Sequence, residues 1–187
     1  MPRLFTAIPL PAALADTLAG LSAPLAGARW IDPGDMHLTL RFAGDLDNRT
    51  ADEFHAALSA IGEPAFTLKL AGFGAFGGQQ PRTLWAGVAE SRWLDALARA
   101  NERAARSAGL PPERHGFKPH VTLARLKGTR PEAVARMLEG LGAFTSAPFP
   151  VESFSLFSSR PKVGGGPYVI EDTFRLRRAD ASGPWAG

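Results

Sequence analysis

Two short stretches, "HLTL" at His37 to Leu40 and "HVTL" at His120 to Leu123, each set a histidine two residues before a threonine. On an extended strand residues i and i+2 leave the same face, so His37 and Thr39 project together, as do His120 and Thr122. Leu38, Leu40, Val121 and Leu123 then pack into the layer behind. Imidazole titrates near neutrality, so a pair can take a proton on one side of a reacting group and give one on the other. Threonine hydroxyls can donate to the nonbridging oxygens of a phosphoryl group. The set suits phosphoryl transfer without a metal. Two blander readings stand beside it: polar groups satisfying each other at a lobe interface, and a metal-binding histidine pair. The second is short of ligands, because no cysteine or nearby carboxylate cluster completes a set and HxTx is not a metal spacing such as HExxH. His55, within "EFHAALSA", and His115, in a Pro-rich loop, read as structural.

The elements that must position these groups alternate in type. Arg3 to Ile8 reads as a strand and Pro11 to Leu21 as a helix with proline in its first turn. Met36 to Phe42 is a strand around the first motif, and Thr50 to Ile61 an amphipathic helix with Phe54, Leu58 and Ile61 on one face. Phe66 to Phe73 and Thr83 to Val88 read as strands, joined by the turn-forming "GAFGGQQPR". The spacing predicts a helix over Arg92 to Ser107, a loop at "GLPPERHGFKP", the second motif strand at His120 to Ala124 and a helix over Pro131 to Leu141. Val151 to Phe157 and Tyr168 to Leu176 close the series as strands. The tail 179–187 is expected to be disordered.

Laid side by side these elements form two halves, about 3–89 and 91–178. From His37 to Trp85 is 48 residues and from His120 to Tyr168 is again 48. Such self-similarity points to duplication. The expected product is a single α+β domain over 1–178, bilobal with pseudo-two-fold symmetry. Two antiparallel sheets would face a central cleft with helices outside, and each lobe would bring one motif strand to the cleft.

Composition sets the outer bounds. With 45% apolar and 21% charged residues the chain is that of a folded globular protein. Seventeen of the 21 basic residues are arginine, and the net charge of +3 is compatible with an anionic ligand without requiring one. The absence of cysteine excludes disulfides, thiolate nucleophiles and sulfur-built zinc sites. No apolar run reaches membrane-spanning length, and "MPRLFTAIPLPAALAD" lacks the pattern of a signal peptide. A cytoplasmic monomer without membrane association is the expectation.

The stretches "RLFTAIPLP", "MHLTLRFAGDL", "RTLWAGV", "FKPHVTLARL" and "FSLFSS…YVIEDTFRL" resemble, in order from Arg3 to Leu176, the RNA 2',3'-cyclic phosphodiesterases of the two-histidine phosphoesterase superfamily, historically called 2'-5' RNA ligases. The resemblance implies a bilobal fold, no metal or other cofactor, and hydrolysis of a terminal 2',3'-cyclic phosphate on RNA to a 2'-phosphate. It also implies that His37, Thr39, His120 and Thr122 are the catalytic set, with the first histidine as acid and the second as base. "AGD" at Ala43 to Asp45 departs from the family's larger apolar residue before the glycine, which touches packing rather than catalysis. The reverse reaction, ligation through a 2',5' linkage, and a noncatalytic nucleotide-binding module remain as alternatives. Arg125, five residues after His120, is a candidate to hold an RNA phosphate. Arg41 is expected in the same cleft because i+4 on a strand shares the face of His37 and Thr39. Phe5 and Tyr168 are candidates for stacking on a base, with core packing the competing role for Phe5. The "VGGGPY" loop at Val163 to Tyr168 lacks the ending of a phosphate-binding loop.

Overall fold

The computed structural model describes residues 3–159 and 168–178. The tail 179–187 and the "VGGGPY" loop before Tyr168 lie outside the described residues. Strand β1 (Arg3–Pro9) alternates strictly: Leu4 and Ile8 enter the main core while Phe5 and Ala7 join a smaller cluster on the other face. Helix α1 (Ala12–Ala19) follows, then a short strand β2 (Ala28–Trp30) and a single 3-10 turn at Pro33–Asp35. These lead into β3 (His37–Asp45), the first motif strand. Helix α2 (Asn48–Ser59) starts at Asp47, whose carboxylate accepts from the Thr50 backbone N–H at 2.8 Å.

Strands β4 (Phe66–Leu68), β5 (Leu70–Phe76) and β6 (Thr83–Val88) come next. The β5–β6 turn needs Gly77, whose φ is +112° and where a Cβ would lie 2.2 Å from the Gln80 carbonyl oxygen. Helix α3 (Arg92–Ser107) is capped by Ser91, and buries Leu94, Leu97, Ala98, Asn101, Ala104 and Ala105 along one stripe. The second motif strand, β7 (His120–Leu126), precedes α4 (Pro131–Leu141), which has its proline at the first turn. Strands β8 (Phe149–Val151), β9 (Ser153–Ser159) and β10 (Tyr168–Arg175) complete the order.

The α+β class and the antiparallel pairing predicted from the sequence hold. In place of the two separate sheets expected there is one eight-stranded sheet, in which two ladders, β10-β9-β1-β3 and β7-β6-β5, join through one residue pair, Leu38 with Val121. β2 pairs with the far half of β7, and β4 with β8 in a separate two-stranded sheet. Each ladder mixes strands from both halves of the sequence. First-half strand β6, with β5 on its outer edge, pairs with second-half β7, and second-half β9, with β10 on its outer edge, pairs with first-half β1. Each half therefore completes the other's ladder. The main core, with Phe54, Phe154, Leu38 and Val121 fully buried, lies between the sheet and α1, α2 and α3. Among the described residues no helix is long and apolar enough to cross a membrane.

Candidate active site

The two motif strands meet at the Leu38–Val121 pair, and both of these side chains are buried on the core side. Their neighbours must therefore face the other way. Continuing the antiparallel register sets His37 beside Thr122 and Thr39 beside His120. All four line one cleft of about 100 Å³, together with Phe5, Asp35, Phe42, Arg125 and Tyr168.

Both imidazoles are held in the same way. His37 Nδ1 lies 2.7 Å from the backbone oxygen of Asp35, and His120 Nδ1 lies 2.7 Å from that of Lys118. A carbonyl oxygen can only accept, so each Nδ1 carries the proton and donates it. Neutral His37 and His120 are consequently fixed as the tautomer with an unprotonated Nε2. The carbonyl is in each case that of the residue two positions earlier.

A bulge recurs at the same place in both strands. In β3 the partners of Thr6 and Ala7 are Arg41 and Thr39, which leaves Leu40 as the extra residue. In β7 the partners of Leu84 and Trp85 are Ala124 and Thr122, which leaves Leu123 extra. One added residue reverses the alternation beyond it. The fifth residue after each histidine, Phe42 or Arg125, then returns to the cleft face. The fourth, Arg41 or Ala124, turns to the buried side.

This refines the expectation for Arg41, which is not among the residues of the small cleft around His37 but borders, with Thr39 and His120, the groove that adjoins it. It is only 7% exposed, and it donates to Glu102 at 2.5 Å, to the Pro111 carbonyl at 2.5 Å, to Glu113 at 3.4 Å and to the Phe42 carbonyl. Its work is to anchor the loop before β7 to α3 and β3. Arg41→Leu is expected to lower stability by about 1–3 kcal/mol in urea unfolding, the range for losing charge-assisted bonds, while kcat stays near the parental value. A large fall in kcat with stability unchanged would return Arg41 to the cleft.

Burial is the main reason that both imidazoles titrate below their ordinary value. For His37, the bond to the Asp35 carbonyl and the Asp35 charge oppose the shift, and the charges of Arg125 and His120 add to it. For His120, the Lys118 carbonyl opposes and Arg125 adds. Arg125 itself donates to Thr83 Oγ1 on β6 at 3.3 Å. Among the described residues no three His, Cys, Asp or Glu side chains gather as a metal-ligand group.

A model of the LigT-like phosphoesterases matches the chain twice in tandem, over residues 8–85 and 87–168. The chain belongs to this family. A relative from Aeropyrum pernix, described as an RNA 2',3'-cyclic phosphodiesterase, is 34% identical over 151 residues, covering 79% of this chain and 84% of its own. One of the same description from Thermus thermophilus is 32% identical over 201 residues, covering 97% and 96%. Among solved structures, Escherichia coli LigT complexed with 3'-AMP superposes with a TM-score of 0.76 at 27% identity, over 94% of this chain and 98% of that one.

Within this LigT-like fold the aromatic surroundings of the histidines are also paired. Tyr168 meets His37 edge-on at 5.0 Å and Phe76 meets His120 edge-on at 4.9 Å. Trp85 lies 6.4 Å from His120. The aromatic residue found 48 positions after one histidine thus sits against the other. Phe5 is 3% exposed and packs on His37 and Phe157, which leaves it no open face for a base. Sequence reasoning missed Asp35, Lys118, Phe42 and Phe76. A signal for the first two was present, because each stands two residues before a motif histidine. His55, read as structural, bonds Asp172 at 2.6 Å and ties α2 to β10.

Proposed function

We propose that this chain hydrolyses the terminal 2',3'-cyclic phosphate of RNA to a 2'-phosphate, with His37, His120, Thr39, Thr122 and Arg125 as its working groups. The observation that carries the reading is the pair of imidazoles in one cleft, each with Nδ1–H tied to a carbonyl and Nε2 left for chemistry. Water attacks phosphorus in line with the P–O3' bond, and His120 Nε2 takes its proton. The P–O3' bond breaks, and protonated His37 gives its Nε2 proton to O3'. Charge gathers on the nonbridging oxygens, where Thr39, Thr122 and Arg125 donate. One proton is taken and one given, so the pair is reset by exchange with solvent. The assignment of acid and base follows the family resemblance, and the names of the curated relatives support the cyclic phosphate as substrate. Tyr168, edge-on to His37, is positioned to border the terminal nucleoside.

The same reading takes 3–89 and 91–178 as duplicated halves of one domain, supported by the tandem family match. It also takes the chain as cytoplasmic and, since one chain supplies both motif strands to the cleft, as a monomer.

An oligonucleotide ending in a 2',3'-cyclic phosphate is expected to be opened to the 2'-monophosphate without ATP. The profile of kcat/KM against pH should be a bell, because one imidazole must be neutral while the other is charged. Both imidazoles titrate below the ordinary 6.5 in the free protein, so the bell should be centred on the acid side of that value. Exclusive release of 3'-phosphate, or a rate that rises steadily to alkaline pH, would overturn this mechanism.

A further inference from the structure

Among the described residues two grooves border the cleft, and their charges differ. One follows the loop before β7, where Arg114, His115 and Lys118 are accompanied by Glu113, with Glu102 and Asp95 behind. The other, about 640 Å³, lies between the β5–β6 turn and the connection from β7 to α4. Its wall carries Arg82, Arg125, Lys127 and Arg130 and no carboxylate. All four are exposed, and among the described residues none of them forms an ion pair. Arg125 borders both this groove and the histidine cleft, while the first groove borders the cleft at Thr39, Phe42 and His120. Lys127 follows two residues later, about 7 Å along the chain direction. Arg130 stands at the start of α4, whose first-turn N–H groups receive no side-chain cap.

We propose that this groove holds the sugar-phosphate backbone on the 5' side of the RNA terminus, so that the substrate is a strand end rather than a free cyclic mononucleotide. The inference rests on the assignment of the cleft to a terminal cyclic phosphate. Among the described residues, a strand whose last phosphate lies against the histidines finds these two grooves beside the cleft. A polyanion leaving past Glu113 would meet a carboxylate, although one already bonded by Arg41 and by two backbone N–H groups, whereas the wall at Arg125 carries cations and no carboxylate. Four unpaired cations on an open wall gain from phosphates chiefly by releasing the counterions of the strand, which makes the gain dependent on salt.

The test compares a nucleoside 2',3'-cyclic monophosphate with a short oligoribonucleotide of the same terminal base and the same cyclic end, over a series of salt concentrations. The parental protein should favour the oligonucleotide in kcat/KM at low salt. The double variant Lys127→Ala/Arg130→Ala should lose about tenfold on the oligonucleotide and nothing on the mononucleotide. The slope of log kcat/KM against log salt should shrink by about 0.7 for each phosphate that the variant no longer neutralises. Arg82→Gln, on the opposite wall, is the independent second variant and should act in the same direction. Equal parental activity on both substrates, or parental oligonucleotide kinetics in both variants, would overturn the groove assignment. The same holds if Arg114→Ala, in the other groove, removes the preference instead. If the parental protein opens neither substrate, the cleft reading fails and the groove's fails with it.

Discussion

His37→Ala and His120→Ala are each expected to lower kcat on a cyclic-phosphate-ended oligonucleotide by about a hundredfold to ten-thousandfold. The expectation follows from where each proton can go. Nδ1 of both rings is committed to a carbonyl, so loss of either ring removes the one Nε2 that serves its side of the phosphorus. The two groups act in a single step, and the double variant should therefore be little worse than the poorer single one. His37→Asn and His120→Asn separate chemistry from packing. An asparagine amide can still donate to the Asp35 or Lys118 carbonyl, but it offers no base. The asparagine variants should fold like the parent by circular dichroism and remain as slow as the alanine variants. Thr39→Ala and Thr122→Ala should cost less, since other donors remain. Turnover should survive EDTA. A chelator-sensitive rate, or a folded variant lacking either imidazole that works at the parental rate, would sink the two-histidine mechanism.

How far the site could be read from the sequence depended on the reach of each signal. The motif pairs were legible because alternation on a strand is a local rule, and α3 and α4 were legible to the residue because their apolar stripes and first-turn signals are local too. β2 was missed, since three residues are too few to show a period. The bulges at Leu40 and Leu123 were out of reach for a different reason: a bulge is a relation between two strands, and nothing in "HLTLRF" alone states that Leu40 has no partner on β1. That one hidden residue is why the i+4 rule placed Arg41 in the cleft while the structure places Phe42 there. The exchange of strands between halves was hidden likewise. Equal spacings reveal that two units are alike, but not which unit each strand will pair with.

Arg125→Ala should lower kcat/KM on the cyclic-phosphate-ended strand by about tenfold to a hundredfold, from the roughly 1.5–3 kcal/mol that a charge-assisted hydrogen bond is worth. The bulge at Leu123 returns this guanidinium to the cleft face, and Thr83 Oγ1 steadies it from β6. Its charge also acts on both imidazoles, depressing His37 and His120 alike. Removing that charge relieves the depression, so both histidines should titrate at higher pH and the whole bell should move toward alkaline. Arg125→Lys separates the two effects. It keeps the positive charge, so the bell should stay close to its parental position, yet it loses the planar fork that can hold two phosphoryl oxygens at once, and kcat/KM should still fall. Histidine titration followed by NMR in the absence of substrate reads the electrostatic part, and the pH–rate profile reads both. An alanine variant with parental kinetics at low salt and unmoved histidine titrations would assign Arg125 to the solvated surface. It would also cut the one link between the cleft and the cationic groove.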